Sequence, residues 1–331
     1  NRFLSKSLAL QVICAIVFLV AYTIYAASSV KACGTLFHTV IGMDPQIAMY
    51  LAAVVIVGYT FLGGCLLYTS DAAAVCWTDF FQGMLVLGSM FIAPIFAAFM
   101  LDTSSMSSLP GGYLNPFSSW QDIVSGLAWG LGYFGMPHII IRFMSIKSQK
   151  DLKKSAKIGN TWTLLIVFFA TLIGVIGRLF LGFDESINEN SLVFIQIVRK
   201  IFPGVISGIL LSAVLAASMS TADSQLLAAS SAFSSDVYKP VIRKGKANDK
   251  EMMWTGRIVV LGISVAALII ASNPNAGSIM ALVSNAWGIF GAAFGPAIML
   301  SLFWKRFNFK GAVAGIITGA AVDILWYAFL T

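Results

Sequence analysis

Long apolar runs, each about as long as a membrane-crossing helix, restrict the fold of this chain more than any other feature. A membrane helix needs about 20 predominantly apolar residues, and polar breaks divide the sequence into nine such runs. They cover approximately residues 9–30, 46–64, 77–101, 121–141, 160–182, 204–234, 254–272, 278–304 and 311–330. Charged residues make up only 11% of the 331 residues, whereas a soluble domain has about 25%. An ordinary soluble enzyme, a disordered chain and a disulfide scaffold are therefore excluded.

The pattern within the runs predicts helices. Most runs are apolar on all sides and show no alternation of period two, which argues against a β-barrel. The connecting segments hold the turn residues, such as Asn273-Pro274-Asn275, and nearly all of the charge. We therefore expect an all-α polytopic membrane protein with about nine transmembrane helices, forming a single transmembrane domain over residues 1–331 in a lipid bilayer.

The basic residues predict how the chain is oriented. If the Asn1 side is cytoplasmic, the inner segments hold 17 of the 21 Lys and Arg residues. The outer segments then hold only Lys31, Arg178, Arg199 and Lys200. Cytoplasmic loops carry such an excess of positive charge. We therefore expect a multi-pass protein of the cell membrane with a cytoplasmic Asn1 side. The net charge of +7 is explained by this asymmetry, and a nucleic-acid partner is not predicted.

Small and hydroxyl-bearing residues fill the sixth run from Leu211 to Ser224. Four of them recur at spacings of three and four and so share one helix face: Ala217, Ser220, Thr221 and Ser224. Two or three hydroxyls, with any backbone carbonyl freed by a bend, suit a transient alkali-cation site because hard cations prefer oxygen ligands. A helix contact whose hydroxyls bond back to their own backbone explains the same pattern. Spacing alone leaves both interpretations open.

The fourth run contains three glycines and a proline between Trp129 and His138. The stretch formally contains G-x-G-x-x-G, but no strand precedes it, so we reject a dinucleotide site. We expect an unwound or kinked helix, which a membrane tolerates where it lines a cavity and where transporters bind substrates. Trp129 and Tyr133 lie four residues apart, so their rings face one side and suit an organic ligand or a cation. A glycine-packed kink filled by aromatic residues is the alternative.

Few ionisable residues lie in the apolar runs. Asp79 begins the third run, where it is either a helix N-cap or a functional group. Asp223 and Asp323 lie in the sixth and last runs, and His138 is compatible with a pH-dependent role. No Ser–His–Asp, Cys–His or H-E-x-x-H arrangement appears, so no enzyme is predicted. The four cysteines have no metal-binding spacing.

Several stretches, in order and almost from end to end, have a familiar pattern. They are Thr23–Ser28, Gly58–Gly64, Trp77–Asp79, Trp129–His138 with Arg142–Met144, Ser212–Leu227 and Trp287–Pro296. This set resembles the sodium:solute symporter family, most closely its sodium/proline symporters. The resemblance implies a LeuT-like inverted-repeat bundle, present in part, that couples inward sodium flow to uptake of L-proline. It also implies that the first two core helices of the family lie upstream of Asn1.

The resemblance also implies a set of sodium-site residues. In the eighth core helix, the Ala217 carbonyl and the hydroxyls of Ser220 and Thr221 match the sodium ligands of the family. Asp79 matches an aspartate linked to sodium release towards the cytoplasm. The connection before Asp79 is longer than in family members, with extra residues around Cys65–Ala73.

The substrate residues implied by the resemblance are aromatic, apart from one proline. Trp129, Tyr133 and Pro137 match the substrate wall in the broken helix, and Tyr25 matches an aromatic residue near the substrate. Two alternatives stay open at this point. The first is the same family with another solute, such as pantothenate, another amino acid or a sugar. The second is an ion or water channel, for which we find no repeated filter sequence.

Overall fold

The computed structural model describes residues 7–68, 72–101, 111, 113–115, 117, 119–144, 146–182 and 190–329, and within them it is helical without a strand. The α-helices are α1 (Leu8–Ile41), α2 (Pro45–Tyr68), α3 (Ala72–Phe99), α4 (Trp120–Gly132), α5 (Pro137–Met144), α6 (Gln149–Leu181), α7 (Val193–Ile201), α8 (Gly204–Ala232), α9 (Asp249–Ser272), α10 (Ile279–Phe303) and α11 (Phe309–Phe329). The all-α prediction is confirmed for this part of the chain.

Seven of these helices are long and apolar enough to cross a membrane, namely α1, α3, α6, α8, α9, α10 and α11. A shorter apolar segment, Pro45–Phe61, belongs to α2. The protein is therefore a multi-pass membrane protein. The count of nine spans stays a prediction, because the fourth run is not one continuous helix. Residues 69–71, which fall in the predicted insertion Cys65–Ala73, lie outside the described residues.

Local capping explains where several helices begin and end. The Ser7 side chain accepts a hydrogen bond from the Leu10 N–H at the start of α1, and Gly42 ends that helix with φ of +69°. Asn248 and Glu251 form a reciprocal capping box at the start of α9. Such caps satisfy backbone groups that have no partner within the helix. The residues between the apolar runs therefore determine where these helices begin and end.

The fourth predicted run is a broken helix, as its glycines and proline predict. After α4 ends at Gly132, a 3₁₀ turn covers Tyr133–Gly135, and Met136 adopts an extended conformation before α5 begins at Pro137. Proline at the first helical position lacks only an N–H that would have no partner there, and it favours an extended residue before it. The break between α4 and α5 therefore follows from the local sequence.

Glycines bring the broken helix into direct contact with the backbone of α10. A Cβ atom added to Gly135 would lie 2.2 Å from the Phe290 carbonyl oxygen, and one added to Gly291 would lie 3.1 Å from the Gly132 Cα. Real Cβ atoms do not approach backbone that closely, so only glycine fits Gly135 in this arrangement. The 3₁₀ turn is thus packed backbone to backbone against the middle of α10.

Two elements were not predicted from the apolar runs. A short helix, α7, lies between the predicted runs 160–182 and 204–234, and α8 continues as a π-helix over Phe233–Ile242. The Arg199 guanidinium of α7 donates a hydrogen bond to the Thr39 carbonyl of α1. The Ser207 hydroxyl of α8 donates to the Phe202 carbonyl at 2.8 Å. These bonds hold α7 against the ends of α1 and α8.

Candidate functional site

A cavity of about 1130 Å³ lies between α1, the broken helix, α6 and α8. We call it the central cavity, and its lining includes Tyr25, Tyr133, His138, Ser220, Thr221 and Gln225. Two residues predicted to face a substrate and two predicted to hold a cation therefore share one space. The sequence separates Tyr25 from Thr221 by almost 200 residues, so only the fold reveals this convergence.

The predicted hydroxyl face of α8 is turned towards this space. Ser220, Thr221 and Ser224 all line the central cavity, which confirms that these three share one face. Ala217 lies on an exposed part of α8 and is outside this lining. α8 is uninterrupted from Gly204 to Ala232, so no bend frees the Ala217 carbonyl within the helix. The role of that carbonyl as a ligand stays a prediction.

Asp79 is held against the same face of α8. Its Oδ1 accepts a hydrogen bond of 2.7 Å from the Ser220 hydroxyl. The alternative that Asp79 is only an N-cap is wrong, because α3 begins seven residues earlier, at Ala72. Asp79 therefore contacts a predicted cation ligand through its side chain.

An aromatic cluster centred on Trp287 of α10 joins the other predicted substrate residues. The ring centroid of Trp287 is 5.1 Å from that of Trp129, 4.8 Å from that of Tyr133 and 6.4 Å from that of Tyr25. The rings of Trp129 and Tyr133 thus do lie on one side of the broken helix. We did not predict a site role for Trp287, although it begins one of the stretches that carry the resemblance. Its position could have suggested that role.

Trp129 itself faces a second, smaller space. It lines a cavity of about 530 Å³ together with Trp287 and Tyr327, between the broken helix, α10 and α11. Neither Trp129 nor Trp287 lines the central cavity, whereas Tyr133 does, and Trp287 contacts the rings of both Trp129 and Tyr133. Trp129 and Tyr133 therefore line different cavities, although their spacing predicts that they face the same one.

Pro137 is positioned by a hydrogen bond at the neighbouring residue. His138 lines the central cavity, and its Nδ1 lies 3.3 Å from the hydroxyl of Tyr22, a side chain only 1% exposed. The bond joins α1 to the first turn of α5. Pro137 begins α5 beside His138 but is not among the residues that line the central cavity, so its role in binding a substrate stays a prediction. Tyr22 is a positioning residue for His138 that the sequence did not reveal.

Two further buried polar side chains lie near the hydroxyl face of α8. Asp223 is 3% exposed and Gln225 is 2% exposed. Within the described residues, the Asp223 Oδ1 and both amide atoms of Gln225 have no hydrogen-bond partner. In the same residues, no group of three or more His, Cys, Asp or Glu side chains could hold a metal ion. The hydroxyl oxygens of Ser220 and Thr221 suit a hard monovalent cation instead.

Comparison with known proteins identifies the family. The model of the sodium:solute symporter family matches residues 1–319. The chain belongs to the sodium:solute symporter family. It is 41% identical to the high-affinity proline transporter PutP of Bacillus subtilis over 98% of this chain, and 40% identical to the osmoregulated proline transporter OpuE of the same organism. It is 39% identical to the sodium/proline symporter of Staphylococcus aureus strain USA300 over its whole length. These relatives are transporters, not enzymes.

The family resemblance expected from the sequence is therefore confirmed. The chain spans about two thirds of the length of these relatives, between 65% and 69% of each. A solved structure titled as the substrate-bound outward-open state of a Na⁺-coupled sialic acid symporter covers 97% of this chain with a TM-score of 0.75 and 20% identity, and the match spans 68% of that structure. This likeness confirms the predicted LeuT-like fold.

Proposed function

We propose that the protein takes up L-proline by coupling it to inward sodium flow in an alternating-access cycle. The observation that carries this proposal is the central cavity, in which the hydroxyls of Ser220 and Thr221 and the rings of Tyr25 and Tyr133 line one space. A coupled transporter needs its ion and its solute close enough for each to affect the binding of the other. The proline transporters among its relatives support proline as the solute.

In this proposal the sodium ion binds at the cavity face of α8. The hydroxyls of Ser220 and Thr221 supply oxygen ligands, and the Ala217 carbonyl supplies a third. A site of neutral oxygen atoms binds a monovalent cation weakly enough to release it in each cycle. Asp79 draws the ion towards the cytoplasm during release, which its 2.7 Å hydrogen bond from Ser220 supports.

The substrate binds beside the ion, against the aromatic side of the cavity. The rings of Tyr25 and Tyr133 provide apolar surface for the proline ring, and Trp287 supports both of them from behind. Trp129 contacts Trp287 as well, with the two rings tilted by 36°. Pro137 begins α5 directly after the break, beside His138, which lines the central cavity.

The sodium gradient supplies the energy for accumulation. Moving one positive charge inward through 100 mV releases about 2.3 kcal/mol, to which the sodium concentration gradient adds. If the protein binds proline well only when sodium is bound, then proline strengthens sodium binding by the same factor. Sodium and proline are both transported substrates in this proposal.

The orientation that we infer has the start of α1 in the cytoplasm and the protein in the cell membrane. The excess of basic residues on that side supports it, since 17 of the 21 Lys and Arg residues lie in the inner segments of the predicted arrangement. Sodium then enters from the outer side of α8 and leaves past Asp79.

The test is uptake of labelled proline by the complete protein in a strain without its own proline transporters. We expect accumulation with an inward sodium gradient and none when sodium is replaced by choline. Proline accumulation that is unchanged without sodium would contradict the proposal. Competition by pantothenate, other amino acids and sugars tests the choice of solute, and a steady sodium conductance without any solute would favour a channel.

A further inference from the structure

Four lysines near the start of α6 form one exposed, positively charged surface, which we call the lysine face. All four are exposed, and they are Lys150, Lys153, Lys154 and Lys157. At 3.6 residues per turn they fall within an arc of about 100° around the helix. In the part of the chain that the structure describes, none of them forms an ion pair. The lysine face thus presents four positive charges without a neutralising side chain among the described residues.

The acidic residue of this stretch is turned away from the lysine face. Asp151 lies about 100° around the helix from Lys150, and its Oδ2 accepts a hydrogen bond of 2.6 Å from the hydroxyl of Ser148, the N-cap. Lysines that lie three or four residues apart on a helix repel one another, and a positive charge in the first turn is also unfavourable. The lysine face therefore destabilises α6 on its own, and an anionic partner would offset this repulsion.

The lysine face is directed away from the core of the protein. The buried residues of α6 are Phe169, Ile173 and Gly177, and they lie on approximately the opposite side of the helix. Further along α6, the side that carries the lysines also carries Leu165 and Phe168, which are 41% and 58% exposed. Exposed apolar side chains of a membrane-spanning helix contact lipid. The lysine face is therefore continuous with a lipid-facing side of α6.

The lysine face also lies at the height of the lipid headgroups. The apolar run of α6 begins at about residue 160, so the backbone of Lys157 lies about 5 Å before the run and that of Lys150 about 15 Å before it. Headgroups extend about 5–8 Å beyond the hydrocarbon on each side, and at physiological ionic strength their charge acts over about 8 Å more. All four lysines are therefore within range of charged headgroups.

Membrane orientation alone does not explain why the four lysines share one side of a helix. Orientation depends on how many Lys and Arg residues lie near the end of a membrane helix, and not on which side of the helix they occupy. The basic residues between α8 and α9 show the difference. Arg243 is paired with Glu251 at 2.6 Å, and Lys244 and Lys246 lie outside the helices. A cluster of four basic residues directly beside a membrane helix is typical of anionic-lipid binding.

We propose that the lysine face binds anionic phospholipid of the surrounding bilayer, with headgroup phosphates in contact with its ammonium groups. Each ammonium group donates hydrogen bonds to phosphate oxygens and attracts their charge. A zwitterionic headgroup such as phosphatidylcholine brings a positive charge of its own, so it binds less well. The inference requires only that α6 spans a bilayer, so it does not depend on which solute the protein transports.

The test measures which lipid collects beside the lysine face. Thr161 is exposed and lies one turn after Lys157 on the same side of α6. A fluorophore is attached to Thr161→Cys in the complete protein, with the other cysteines replaced, in bilayers of phosphatidylcholine and phosphatidylglycerol. In one sample the phosphatidylglycerol carries brominated acyl chains, which quench the fluorophore, and in the other an equal amount of phosphatidylcholine carries them.

We expect phosphatidylglycerol to be preferred over phosphatidylcholine beside Thr161 by about 10-fold or more, since each lysine close to an anionic surface contributes a factor of about 5. The preference should fall steeply in about 1 M salt, where the screening length shortens to about 3 Å. Contact of lipid with the apolar side of α6 does not have this salt dependence.

Two sets of variants test whether the lysines cause the preference. The set Lys150→Gln, Lys153→Gln, Lys154→Gln and Lys157→Gln should abolish it, whereas the four corresponding changes to Arg keep the charge and should retain it. Glutamine also relieves the repulsion between the lysines, so the first set does not unfold α6. The matched control removes four exposed lysines elsewhere, by Lys239→Gln, Lys244→Gln, Lys246→Gln and Lys250→Gln, and should retain the preference.

The outcomes decide the inference without any measurement of transport. Equal quenching by the two lipids in the wild type would overturn it. A preference for phosphatidylglycerol that persists in the four-glutamine variant of the lysine face, or that is lost equally in the control, would also overturn it. A preference that is lost in that variant and in high salt, and is retained in the arginine variant and the control, supports it. Because proline uptake is not measured, failure of the proposed function leaves this result unchanged.

Discussion

At the scale of single residues, the hydroxyls of α8 are the groups on which coupling depends most directly. Ser220 and Thr221 face the central cavity, and Ser220 also donates a hydrogen bond to Asp79. Ser212 lies on the same helix, but its hydroxyl donates to the Ile209 carbonyl at 2.6 Å and lies outside the cavity lining. The helix therefore carries both a candidate ligand pair and a hydroxyl that serves only its own backbone.

We expect Ser220→Ala and Thr221→Ala each to raise the sodium concentration needed for half-maximal proline uptake by about 10-fold or more, because each removes an oxygen ligand of the cation. The measurement is uptake at saturating proline over a series of sodium concentrations. Ser212→Ala is the matched control and should leave the sodium requirement unchanged. An equal shift in all three variants would contradict the assignment of the cation to this face.

The residues of the site differ in how far the sequence predicts them. The shared face of Ser220, Thr221 and Ser224 follows from helical spacing alone, because all three lie within two turns of one helix. The contact between Asp79 and Ser220 joins residues 141 positions apart, and no local pattern encodes it. The same holds for Trp287, because its three ring contacts come from elements that are distant in sequence.

At the scale of elements, the apolar runs predict the long helices well and the short ones poorly. α7 has only nine residues, so it cannot produce an apolar run of membrane length, and it lies in a segment that contains charged residues. The break at Tyr133–Gly135 could be predicted because glycine and proline act locally. Its packing against α10 could not, because that depends on where Phe290 lies in the fold.

The packing of the 3₁₀ turn against α10 predicts that one added methyl group destabilises the protein. Gly135→Ala would place a Cβ 2.2 Å from the Phe290 carbonyl oxygen and 3.0 Å from the Gly295 nitrogen. Backbone atoms cannot turn aside as a side chain does, so we expect a loss of about 1–3 kcal/mol of stability from overpacking, together with loss of transport. The measurement is the Tm of the purified protein and its proline uptake.

Gly130→Ala is the matched control in the same broken helix. A Cβ at Gly130 meets no atom within 4 Å, and alanine favours a helix over glycine by about 1 kcal/mol. We expect its Tm to be unchanged or higher. A Gly135→Ala protein with a Tm like that of Gly130→Ala would show that the 3₁₀ turn does not rest on α10 in this way.

At the scale of the whole molecule, the two ends of α9 test the orientation. Lys246 precedes α9 and Asn275 follows it, and both are exposed. With α9 about 36 Å long, these residues lie on opposite sides of a membrane. In a protein whose cysteines are replaced, we expect a membrane-impermeant maleimide to label Asn275→Cys in intact cells and Lys246→Cys only after permeabilisation. The reverse pattern would overturn the inferred orientation.

The lengths of the longest helices have a consequence for the lipid around the protein. α1 has 34 residues and α6 has 33, so each is about 50 Å long, whereas the hydrocarbon core of a bilayer is about 30 Å thick. Such helices must tilt or extend beyond the hydrocarbon, and the cost of either depends on bilayer thickness. Because α1 lines the central cavity, a change in its tilt moves Tyr25. Proline uptake in proteoliposomes should therefore vary with the acyl-chain length of the lipid, which makes membrane thickness a physical input to transport.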